Sequence, residues 1–156
     1  MSRSPESTRL TLNLSLGLLI GGSACVFISV GADALGLDLT PGFGLMQILG
    51  LLVGITMITG AGFALVVRSR PPGRKGSLLA DVGVRMGLTG LLACYVAGLA
   101  DMIGVGTHRG PGFTRPFLGP LQLGGFAIGL LILGVGLMMY WLGNRAETSE
   151  PGSPET

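Results

Sequence analysis

Ala32-Asp33-Ala34-Leu35-Gly36-Leu37 followed by Pro41-Gly42-Phe43 returns later in the chain as Ala100-Asp101-Met102-Ile103-Gly104-Val105 followed by Pro111-Gly112-Phe113. Downstream the match continues, with Gly44, Gln47, Gly50 and Gly54 answered by Gly119, Gln122, Gly125 and Gly129. The offset is 68 from Asp33 to Asp101 and 75 from Gln47 to Gln122, so the second copy carries 75 − 68 = 7 extra residues in its connecting loop. Spacing kept on both sides of a variable loop marks a duplicated helix-loop-helix unit.

The residues around these motifs say which solvent the helices meet. Of 156 residues, 48% are apolar and only 12% are charged, a balance that belongs to integral membrane proteins. A helix needs about 20 mostly apolar residues to cross a bilayer, and four stretches qualify: 10–32, 44–67, 78–103 and 118–142. The expected fold is therefore an all-α membrane protein of four transmembrane helices, arranged as two parallel-repeat helical hairpins. Repeat 1 covers about 10–67 and repeat 2 about 78–142 of a single domain at 10–142. The ends, 1–9 and 143–156, are rich in Ser, Thr, Pro, Glu and Gly and read as disordered cytoplasmic tails. The apolar run continues past Cys25 to Val30, and the repeat gives this span a counterpart in the third, so it reads as a true span and not as a cleaved signal peptide.

A unit of two spans returns the chain to its starting side, so the two copies run in the same direction about a pseudo-twofold axis along the membrane normal. This parity excludes the inverted repeats of many carriers. Of ten basic residues, only Arg109 and Arg115 fall on one side of a four-span arrangement, while eight fall with the tails and the 68–76 loop. The positive-inside bias places both termini in the cytoplasm, and the expected location is a bacterial cytoplasmic membrane. A net charge of +2 gives no reason to expect a nucleic-acid partner.

Glycine accounts for 29 residues, and each span carries a pair at spacing four: Gly17 and Gly21, Gly50 and Gly54, Gly83 and Gly87, Gly125 and Gly129. That spacing stacks two glycines on one helical face, where a neighbouring backbone can come close. Gln47, Gly50 and Gly54 share one stripe, as do Gln122, Gly125 and Gly129. Helix packing, with each glutamine hydrogen-bonding to another helix, is the first reading of these stripes. A pore lining is the second.

Asp33 and Asp101 stand near helix C-termini, where the dipole disfavours a carboxylate, so they read as caps of the following turn or, secondarily, as an ion site. His108, Arg109 and Arg115 occupy the longer second loop and are candidates for contact with a partner or a lipid headgroup. Asp81 and Arg85 read as an ion pair. Tyr140 and Trp141 read as interfacial anchors, and Cys25 and Cys94 as small buried thiols. A lone histidine and two cysteines outside any Cys-x-x-Cys pair give no metal set, no cofactor and no catalytic constellation. No charged residue falls near the middle of a span, so proton coupling through a central membrane carboxylate is excluded.

These residues lead to a non-enzymatic scaffold or accessory subunit, embedded in the lipid bilayer and packing against copies of itself or other membrane protein subunits. The alternative is a small channel or carrier for an ion or small solute, with a path along the pseudo-twofold axis past Gln47 and Gln122.

Overall fold

The apolar stretches are helices, and their ends follow from glycine and proline placed where a helix can use them. A computed structural model of the protein describes residues 5–32, 35–36, 44–68, 77–103 and 119–146, with backbone alone for 5–8, 101–103 and 146. The helices are α1 (Pro5–Gly31), α2 (Leu45–Arg68), α3 (Leu78–Ile103) and α4 (Pro120–Ala146). All four are long and apolar enough to cross a membrane, which fits a small integral membrane protein.

Proline begins α1 and α4, where its fixed φ suits the first turn and its missing N–H costs nothing. The start at Pro5 brings residues 5–9, assigned to a tail by the sequence reading, into α1. At the other end α4 runs to Ala146, four residues past 142. The Asn144 side-chain amide donates to the Tyr140 carbonyl at 2.9 Å, and the Arg145 guanidinium lies 3.9 Å from the Trp141 ring centre, so the last turn is held from within. Beyond α1, Leu35 N–H donates to the Gly31 carbonyl at 2.9 Å, and Gly36 takes φ +66°, a conformation that favours glycine.

Two helix pairs dominate the packing, α1 with α2 and α3 with α4. α2 also meets α3 and α4 over a smaller area, whereas α1 meets α2 alone. Where the pairs join, Ile48, Leu52 and Ile55 of α2 pack with Cys94 of α3 and Phe126 of α4 to form the buried core. A closed twofold would seat α1 on α4 as α3 sits on α2, and that contact is not made among the described residues. The polar link across the junction is one-sided too. Thr56 donates to its own Leu52 carbonyl at 2.8 Å, which leaves its oxygen to accept from the Tyr95 hydroxyl at 2.9 Å. The residues offset from this pair by 75 and 68 are Leu131 and Phe27, which carry no hydroxyl.

Tyr140 lies in this junction: it is buried, with its ring edge-on to Phe63 of α2 at 5.2 Å between centres. Trp141 remains exposed under Arg145. Tyr95→Phe is expected to loosen the junction by about 0.6 kcal/mol, the usual worth of a hydrogen bond between membrane helices, read as a small drop in unfolding free energy in micelles.

Candidate functional site

The feature with the most built-in structure is the seam inside each hairpin, and it is made by glycine. In α1 and α2 the closest approach is Gly22 to Gly54: a Cβ placed on either would lie 2.8 Å from the other's carbonyl oxygen. In α3 and α4 the matching approach is Gly90 to Gly129, where a Cβ on Gly90 would lie 2.6 Å from the Gly129 carbonyl oxygen. Adding 68 to the first number and 75 to the second turns one pair into the other. Neighbours follow the same arithmetic. Gly54 abuts Val26 and Gly129 abuts Cys94, while Gly50 faces Ser29 and Gly125 faces the Ala97 methyl, 3.3 Å from where its Cβ would be. At Gly22, Gly54, Gly90 and Gly129 a side chain would meet main-chain atoms of the partner helix and drive the backbones apart, so glycine sets the distance at which the helices pack.

The two seams differ in length. Toward the 68–76 loop α3 and α4 stay in contact through Gly83, Gly87 and Gly136, and a Cβ on Gly136 would lie 2.7 Å from the Gly83 carbonyl oxygen and would meet Gly87 N. The positions offset from Gly83 and Gly136 are Ser15 and Ala61, both buried. Ser77 fastens the end of this longer seam by donating to the Gly143 carbonyl at 3.1 Å and accepting from Ala80 N–H at 3.1 Å as the α3 N-cap. The sequence reading passed over Ser77, although a serine immediately ahead of the apolar Leu78-Leu79-Ala80 run is a helix-start signal.

Both glutamines sit at helix starts and serve their own helix. Gly44 N–H donates to Gln47 Oε1 at 2.7 Å, and Gly119 N–H donates to Gln122 Oε1 at 2.8 Å. Each is the N3 half of a capping box with glycine at N-cap, a job that the spacing Gly-x-x-Gln ahead of an apolar run could have announced. The side-chain oxygen thus satisfies one of the N–H groups a helix start leaves open in lipid. Gln47→Leu and Gln122→Leu are each expected to cost about 1 kcal/mol, measured as unfolding free energy in micelles, by loss of a cap.

The glycine pairs singled out in the sequence divide by environment. Gly50, Gly54, Gly125 and Gly129 face the seams, as do Gly83 and Gly87 among their neighbours. On α1 the close approach is at Gly22: Gly21 meets only the tip of Met57, and Gly17 has nothing within 4 Å. Three hydroxyls in the spans bond to their own helix as well. Ser15 donates to the Thr11 carbonyl at 2.9 Å, Thr59 to Ile55 at 2.7 Å and Thr89 to Arg85 at 2.9 Å.

Cys94 is buried with its sulfur 3.7 Å from the Phe126 carbonyl, Cys25 is half-buried, and both are free thiols. Arg85 and Asp81 form an exposed ion pair at 3.0 Å, worth little in stability. Asp33, His108, Arg109 and Arg115 lie outside the described residues, and so do both Pro-Gly-Phe turns. Asp101 is described only as backbone in the last turn of α3. Among the described residues no group of three His, Cys, Asp or Glu side chains is placed to hold a metal ion. Searches against family models, curated proteins and solved structures find no match to this chain.

Proposed function

We propose that this chain is a scaffold or accessory subunit of a membrane assembly, without catalytic activity of its own, acting by packing its helices against copies of itself or other membrane proteins. The observation that carries it is where the polar groups go. Gln47, Gln122, Ser15, Thr59, Thr89 and Asn144 each have a bond to the backbone of their own helix, and although Thr56 with Tyr95 and Ser77 with the Gly143 carbonyl link helices, glycine, small residues and aliphatic side chains line the contacts between spans. That is the surface chemistry of helix association in lipid, where close van der Waals contact replaces the hydrophobic effect.

In this reading the chain is two like-directed hairpins from one duplication, with both termini in the cytoplasm of a bacterial cell. The matching registers Gly22 to Gly54 and Gly90 to Gly129 support the duplication, and the basic 68–76 loop supports the orientation. The channel alternative keeps less support, because the side-chain oxygens of Gln47 and Gln122 are engaged at helix N-termini. Unchanged flux through reconstituted Gln47→Leu, Gln122→Leu protein would end the channel reading. Purification in mild detergent tests the scaffold: the protein is expected to run larger than one chain, or to bring a membrane protein with it. A monomer that brings nothing with it defeats the proposal.

A further inference from the structure

The junction between the hairpins has a counterpart that the single chain leaves unused. α2 docks on α3 through Ile48, Leu52, Thr56 and Phe63, which meet Gly98, Tyr95 and Gly87. A Cβ on Gly98 would lie 3.4 Å from both Ile48 Cγ2 and Leu52 Cδ1, and one on Gly87 would lie 2.7 Å from the Phe63 ring tip. Moving each α2 number by 75 gives Leu123, Ala127, Leu131 and Met138 on α4, and all four are exposed. Moving Gly98 and Tyr95 back by 68 gives Val30 and Phe27 on α1, also exposed, at 59% and 74%.

At the contact of Leu52 with Gly98 the sizes are exchanged between the two faces. Inside the chain a large Leu52 on α2 fills the space over Gly98 on α3. On the open faces a small Ala127 on α4 stands where Leu52 would be, and a large Val30 on α1 stands where Gly98 would be. Thr56 and Tyr95 are likewise replaced by Leu131 and Phe27, an apolar pair that needs no hydroxyl partner. Gly134, offset from buried Thr59, has nothing within 4 Å of where its Cβ would be and leaves room for a neighbouring helix. A rotation of one half-turn would bring these faces together within one chain, yet among the described residues α1 meets neither α3 nor α4. The step from the first hairpin to the second does not close after two hairpins, so the next hairpin that can continue it belongs to another molecule.

We infer that α4 of one copy docks on α1 of a second copy, in the register that α2 uses on α3, so that copies of the chain join head to tail. The inference rests on the scaffold reading and makes it specific: the partner is this same chain, the contact is heterologous, and Val30 faces Leu123 of the next copy. Two differently tagged forms test it, co-expressed in a background with Cys25→Ala and Cys94→Ala, one carrying Val30→Cys and the other Leu123→Cys. Gly98→Cys with Ile48→Cys in one chain is the internal control, because a Cβ on Gly98 would lie 3.4 Å from Ile48 Cγ2, the place a sulfur substituted at 48 can take.

After oxidation in native membranes, the two tagged forms are expected to be joined by a disulfide in at least half of the chains that can pair, with no dimer from either variant alone. Control closure reports that the background folds; if it fails, Cys94→Val, which copies Val26 of the other hairpin, replaces Cys94→Ala. Two results overturn the inference: dimers of like residues only, or no disulfide while the control closes. In the last case a different membrane protein co-purifying with the chain leaves the scaffold reading standing, whereas a lone monomer removes both.

Discussion

Gly136→Leu is expected to open the α3 and α4 pair and to lower the unfolding free energy in micelles by about 3 kcal/mol, the upper end of the ordinary cost of overpacking. The atoms a side chain would meet there are Gly87 N and Cα and the Gly83 carbonyl oxygen, all main chain, and no rotamer change can move them aside. The helices must separate, and separation forfeits dispersion contacts along the whole seam through Gly90 and Gly129. Lipid offers no hydrophobic gain to offset that loss. Gly60→Leu is the matched control: Gly60 has nothing within 4 Å, and leaving glycine there favours the helix by up to about 1 kcal/mol. Equal stability of the two variants would show that the seam is not held by backbone proximity.

Leu52→Ala acts at the other level of organisation, between hairpins. Leu52 is fully buried among Ile48, Ile55, Cys94 and Phe126, and truncation leaves a cavity bounded by three helices. In water such a change costs about 2 to 5 kcal/mol, divided between transfer of the lost atoms and the cavity left behind. In a bilayer the transfer part shrinks, because the separated helix places the same side chain in hydrocarbon, and the expected loss is about 2 kcal/mol, mostly cavity. Leu49→Ala, at an exposed position one residue from Ile48, is expected to change little. Unfolding free energies for the pair decide it, and a Leu52→Ala protein as stable as Leu49→Ala would mean that the hairpins are not joined through this core.

The two variants probe what the sequence could and could not foretell about the candidate surfaces. The glycine pairs on α2 and α4 were legible because the duplication repeats them at one offset, and the structure places Gly54 and Gly129 against Gly22 and Gly90. The α1 pair was misleading: Gly17 and Gly21 carry the same spacing as the others, but the helix turns Gly22 to α2. Gln47 and Gln122 were legible as a matched pair and not as caps, because the stripe of glycines after them drew attention to the face and away from the helix start. Tyr140 resembled a membrane anchor by its place near the end of a span, and only the Phe63 ring against it shows it in the junction.

Composition and length were enough to determine four membrane-length helices, because hydrocarbon thickness is read directly in residue type and count. Which helices touch was decided only in three dimensions. The spans are apolar around most of their circumference, and in lipid a face turned to a neighbour needs no different polarity from a face turned to the bilayer. Backbone distance at single glycines does the choosing, and it leaves α1 resting on α2 alone.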